Sequence, residues 1–151
     1  MGLFDIFKKP LTIEDDFFGK LRFMKMKADG KSYFEGKGLF KPTGKEIEYF
    51  INANEGGPDQ DQKEFYNWIQ ANYRELVIKS IPLIEDEFGN WKEGFTIKDF
   101  DREFHLVALS IPDQKNKPFE WSMSFDAEHD DNHQVTVEFI RHEPQAVTID
   151  G

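Results

Sequence analysis

A chain of 151 residues without cysteine has single-domain length and excludes disulfides, thiolate metal centres and a cysteine nucleophile. Its 19 basic and 29 acidic residues leave a net charge of −10, which argues against general nucleic-acid binding and for solubility. No run approaches the ~20 apolar residues of a membrane span, and no basic-then-apolar leader opens the chain, so a cytoplasmic protein with no transmembrane segment and no nucleic-acid partner is expected.

Residues 1–12 read as a short amphipathic N-terminal segment, with Leu3, Phe4, Ile6 and Phe7 ahead of Lys8 and Lys9 and Pro10 as the stop. It can dock on its own domain or touch a membrane surface or another protein. So short a segment binds lipid weakly without a second anchor, which favours the first role. The Met-Gly opening has Ile6 where a myristoylation signal needs Ser or Thr.

Residues 13–151 read as one α+β domain. Leu21 and Phe23 alternate with Lys20 and Arg22, but Met24 and Met26 then take the apolar role on the opposite parity, which predicts a bulge near residues 23–24 or a strand covered on both sides. Ala28-Asp29-Gly30 is a hairpin turn. The return strand carries Phe34, Gly36, Gly38 and Phe40 on one face, where the glycines leave room for a neighbouring ring or backbone. Pro42-Thr43-Gly44 makes the next turn, and Ile47, Tyr49, Ile51 and Ala53 alternate with Glu46, Glu48 and Asn52. The loop over residues 54–57 lacks the spacings of a phosphate cradle.

A helix is predicted over residues 58–88, because Tyr66, Ile69, Tyr73, Val77, Ile81, Ile84 and Phe88 recur at three- and four-residue steps. Asp59 or Asp61 can cap it, with Gln62 or Glu64 completing a capping box. Pro82 should kink or restart it near Ser80, and Gly89-Asn90 ends it. Apolar residues on both parities of 103–111 indicate a central strand. Phe119, Trp121, Met123 and Phe125 form the buried side of a further strand, followed by a loop over 126–133. Val135, Val137 and Phe139 mark the next strand, and 147–149 a short last one. The predicted architecture is a mostly antiparallel sheet of six to seven strands packed on one long kinked helix, in the order βββ-α-βββ.

Charge is uneven. Residues 99–151 hold 12 acids and 4 bases, a net of −8, whereas residues 1–98 hold 17 and 15, a net of −2. The densest acidic stretch runs from Asp126 through Glu128, His129, Asp130 and Asp131 to His133. Two histidines among four carboxylates are the residue types of a mixed divalent-cation site, with His129 and His133 as its ligands. A calcium loop would need Gly at Asp131 and Glu at Val137, and an exposed turn uses the same residue types without a metal. No metal and no cofactor are therefore expected, and Glu128, Asp130 and Asp131 are the expected contacts to a basic protein partner. His105 shares strand parity with Glu103, a possible acid–base couple, but no nucleophile motif accompanies it, and no catalytic residue is assigned. The lysines and arginine between residues 20 and 45 are interleaved with aromatics, as in single-strand nucleic-acid platforms, but the parity switch spreads them over both faces.

The segments Asp15-Asp16-Phe17-Phe18-Gly19-Lys20-Leu21 and Tyr33-Phe34-Glu35-Gly36-Lys37, with the long helix after a Gly-rich loop, resemble a bacterial domain-of-unknown-function group that opens with D-x-x-F-G-x-L and an aromatic-x-G strand. Trp91, Thr96, Phe100, Leu109-x-Ile111, Phe119-x-Trp121 and Gly151 extend the likeness. It implies an immunity-type or accessory protein and carries over no catalytic residue. The expected function is a non-catalytic protein-binding module. The alternative is a small-ligand or divalent-metal-binding protein, or a hydrolase, with a pocket between sheet and helix.

Overall fold

The computed structural model describes residues 11–115, 117–128 and 130–150; the N-terminal segment through residue 10 lies outside them. The D-x-x-F-G-x-L stretch is a turn whose every fixed position has a mechanical task. The Asp15 carboxylate accepts from the Phe17 and Phe18 amides at 2.9 and 2.8 Å, Gly19 supplies φ 77°, and Phe18 and Leu21 are buried. This turn joins β1 (Thr12–Asp15) to β2 (Gly19–Met24). β1 was not anticipated, since four residues are too few to display a period.

β3 (Tyr33–Phe40) and β4 (Lys45–Asn52) complete a first antiparallel meander. The two intervening turns lie where the sequence puts them, and Gly30 and Gly44 take positive φ in them. The expected bulge in β2 is absent. Its pairing with β3 is regular, with Phe23 opposite Phe34 and Met24 opposite Tyr33, so Leu21 and Phe23 keep the inner face and Met26, beyond the strand, is exposed.

α1 (Gln60–Gly89) then crosses over, and α2 (Phe100–Glu103) leads into β5 (Phe104–Ile111), which pairs parallel with β4. β6 (Glu120–Ala127), β7 (Asp130–Ile140) and β8 (Glu143–Asp150) form a second antiparallel meander. The sheet therefore has eight strands in sequence order, four on each side of the helices. This corrects the order βββ-α-βββ and the count of six to seven. The loop expected over 126–133 is mostly strand, since β6 continues to Ala127, which pairs with Asp130. Central placement of β5 holds, between β4 and β6.

Asp59 caps α1 by accepting from the Gln62 amide at 2.9 Å, and Gln62 returns the bond to the Asp59 amide at 3.1 Å. All of the predicted stripe is buried except Ile81, which is half-buried, and Phe65 and Leu76 widen it. Pro82 does not restart the helix, which is one 30-residue element. The carbonyl that Pro82 leaves without a donor belongs to Ile78, on the solvent side. Ser80, buried beside it, donates its hydroxyl to the Leu76 carbonyl at 2.7 Å. No helix among the described residues is long and apolar enough to cross a membrane.

α1 lies on the sheet face that carries Leu21, Phe34, Tyr49, Leu109, Met123 and Val137. The glycines of β3 seat Tyr49, whose hydroxyl sits between the Phe18 and Lys37 carbonyls at 2.5 and 2.9 Å. A β-carbon on Gly38 would stand 2.6 Å from that hydroxyl, while one on Gly89 would meet nothing within 4 Å. Gly38→Ala should therefore cost about 1–3 kcal/mol by overpacking. Gly89→Ala should be neutral or stabilise by up to about 1 kcal/mol. Urea denaturation of the two variants checks both signs.

Candidate functional site

Because side chains alternate along each strand, the face away from α1 is fixed by the same registers that build the core. One row across it runs Arg22, Glu35, Phe50, Ser110, Ser122, Glu138. None of these six is buried, whereas their neighbours in sequence on the strands' other side are core. The centre of this face is small and hydroxylic. The Ser110 and Ser122 hydroxyls lie 3.0 Å apart, as do those of Ser124 and Thr136.

Three adjoining depressions cross the face. One of about 430 Å³ holds Lys20, Arg22 and Lys37 with Glu35 and Glu48. It shares Phe50 with a second, of about 450 Å³, that reaches Tyr33 and Ser110. The second shares Ser110 and Glu120 with a third, of about 280 Å³, toward Glu138 and Gln145. Lys20, Arg22 and Lys37 thus do gather on one face, because the parity switch in β2 does not occur. Their charge is offset by Glu35 and Glu48, with Arg22 and Glu35 3.7 Å apart. By contrast β6, β7 and β8 contain seven Asp or Glu and no Lys or Arg. Glu120, Asp126, Glu138 and Asp150 occupy the outer positions of those strands.

The chain matches no protein-family model, and no curated protein and no solved structure matches it.

Of the residues singled out in the sequence, Glu128 pairs with His105, its Oε2 2.9 Å from Nε2. The expected partner of His105, Glu103, instead ends α2 and accepts from the Lys98 and Asp99 amides. The couple is therefore cross-strand, fixed by the Glu128 amide donating to the Glu103 carbonyl at 2.8 Å. His129 and the side chains of Asp130 and Asp131 lie outside the described residues. The His133 ring stands 5.2 Å from Trp91, edge to face. Among the described residues no three His, Asp or Glu side chains converge as a metal site. His142 belongs to the β7–β8 turn, where Arg141 takes φ 54°, and its ring stacks on Trp68 at 4.1 Å.

A separate cleft of about 200 Å³ lies where the β3–β4 turn, α1, α2 and the start of β5 meet. Thr43, Lys45, Tyr73, Arg74, Asp101 and His105 are among its lining residues. Sequence periodicity placed Tyr73 correctly on the buried stripe but could not show that its ring end borders a polar opening, since β3 and α2 come from distant parts of the chain.

Desolvation by burial is the first cause that raises the phenol pKa of Tyr49 and Tyr66, each to about 12, with Asp15 and Glu46 adding to Tyr49. Burial, aided by Asp101 and opposed by Arg74, also raises Tyr73. A raised folded-state pKa leaves stability intact below the unfolded phenol value near 10 and removes it as pH climbs through about 12. Absorbance at 295 nm should show Tyr49 and Tyr66 still mostly protonated at about pH 11, with denaturant resistance falling across the same interval. Full ionisation of the folded protein at about pH 10 would contradict this burial.

Proposed function

We propose that the chain is a non-catalytic binding module of the immunity or accessory type, which receives a basic protein on the open face of its second meander. The observation that carries this reading is the segregation of charge. β6–β8 contain seven acidic residues and no Lys or Arg, and the outer positions hold Glu120, Asp126, Glu138 and Asp150 on a face that α1 leaves uncovered. Opposite charge on a partner speeds encounter and fixes orientation, while like charge rejects competitors. Glu128, Asp130 and Asp131 belong to the adjoining β6–β7 stretch, where the Asp130 backbone pairs with Ala127. A hydroxylic centre flanked by carboxylates also offers acceptors for the Lys and Arg side chains of such a partner.

The remaining face does not compete for that role. Lys20, Arg22 and Lys37 alternate with Glu35 and Glu48, so the first meander presents a mixed surface. The reading needs no activated nucleophile and assigns no catalytic residue.

Two neutralised variants test it: Glu120→Gln with Asp126→Asn and Glu138→Gln, and Glu128→Gln with Asp130→Asn and Asp131→Asn. From native lysate, the wild-type protein should retain a basic protein at low salt and release it at high salt. Each variant should retain about tenfold less while unfolding at nearly the wild-type temperature, as surface changes do. Capture of the same protein by both variants at wild-type levels would refute the reading.

A further inference from the structure

Three buried tyrosines report on the helix–sheet boundary, and two of them are satisfied. Tyr49 reaches the Phe18 and Lys37 carbonyls, and Tyr66 donates to the Leu39 carbonyl at 3.2 Å. The Tyr73 side chain is 6 % exposed, packs its ring 5.0 Å from Phe40, and its hydroxyl makes no hydrogen bond among the described residues. The hydroxyl oxygen is not itself enclosed, so it is open to the cleft rather than sealed in the core. Tyr73 lines the cleft of about 200 Å³ between α1, α2 and the β3–β4 turn.

We propose that this cleft is a binding site for a small oxyanion of the phosphate class, received by the Tyr73 hydroxyl, Lys45 and Arg74. The donor balance sets the sign of the ligand. Lys45 has no carboxylate partner among the described residues. Arg74 spends Nη1 on Asp101 Oδ2 at 3.1 Å and keeps further guanidinium donors. The Thr43 hydroxyl makes two long bonds, donating to the Phe40 carbonyl and accepting from the Lys45 amide, each at 3.4 Å. Asp101 is the one carboxylate of the lining, and it orients the Arg74 fork. His105 lines the cleft with Nε2 already engaged by Glu128.

Two basic side chains and two hydroxyls against one carboxylate in the lining favour an anion over a metal ion, and the volume of about 200 Å³ admits a phosphate rather than a nucleotide. Lys45 and Arg74 act as charge and fork, while Tyr73 supplies a neutral donor from the floor. The site is distinct from the acidic face, and its test does not depend on any protein partner.

The experiment is titration of the full chain with inorganic phosphate, against chloride at equal ionic strength, followed by amide shifts and calorimetry. The wild-type protein should show saturable one-site binding, with shifts at Thr43, Arg74 and Leu106. Tyr73→Phe keeps the ring and removes the donor, and should weaken binding about tenfold, as loss of one hydrogen bond to a charged ligand does. Lys45→Ala should weaken it at least as much. Without phosphate, Tyr73→Phe should unfold no earlier than wild type, because its hydroxyl has no protein bond to lose. Absence of saturable shifts in the wild type, wild-type affinity in Tyr73→Phe, or an earlier unfolding of that variant in chloride would each overturn the proposal.

Discussion

Gln62 ties the ends of two strands that the chain does not join by any turn. Its amide nitrogen donates to the Asn52 carbonyl at 2.6 Å and to the Pro112 carbonyl at 3.1 Å, while its oxygen accepts from Asp59. Asn52 closes β4, and Pro112 follows β5. These are the two strands of the parallel seam, where the first meander meets the second. An antiparallel pair can be closed by a short hairpin, but a parallel pair needs a crossover, and here the crossover is α1 itself. One side chain in the first turn of that helix therefore caps the helix and fastens both strand ends. It is 2 % exposed, so removing it would leave buried carbonyls without donors, at about 1–3 kcal/mol for each.

Once the seam is set, the rest follows from alternation. The inner parity of all eight strands faces α1 or the core around it, and Phe18, Tyr49, Tyr66 and Phe40 interlock there edge to face. Among the described residues no helix covers the other parity. That asymmetry gives the molecule a broad open face whose second half is acidic, and a boundary cleft where the helix runs off the β3–β4 turn. The binding reading and the oxyanion reading each depend on one of these two consequences, and they use different residues.

Much of this was legible in the sequence where a local signal existed. The spacing from Tyr66 to Phe88, the Asp59–Gln62 box, and the glycine pair of β3 each rest on residues close in the chain, and each matches the structure. Failures arose where the cause is remote or the element short. Met24 and Met26 imitated a parity switch, but regular pairing with β3 holds β2 in register. β1 shows no period in four residues and exists because the Asp15 turn folds it onto β2. Spacing points from His105 to Glu103, whereas the fold brings Glu128 to it across 23 residues. The spacing shows Gln62 as half of a capping box, while its hold on Pro112, 50 residues away, has no sequence signature. The Tyr73 cleft is of the same kind, assembled from three separate stretches.

The dependence of the fold on the Gln62 clamp is tested most directly by hydrogen exchange on Gln62→Ala against wild type under native conditions. The account predicts that amides of residues 49–51 and 109–111 lose protection first, by about tenfold or more, while the β6–β7 pairing away from the seam changes little. Unchanged exchange along the seam, or equal loss of protection throughout the sheet, would contradict the claim that this side chain joins the two halves.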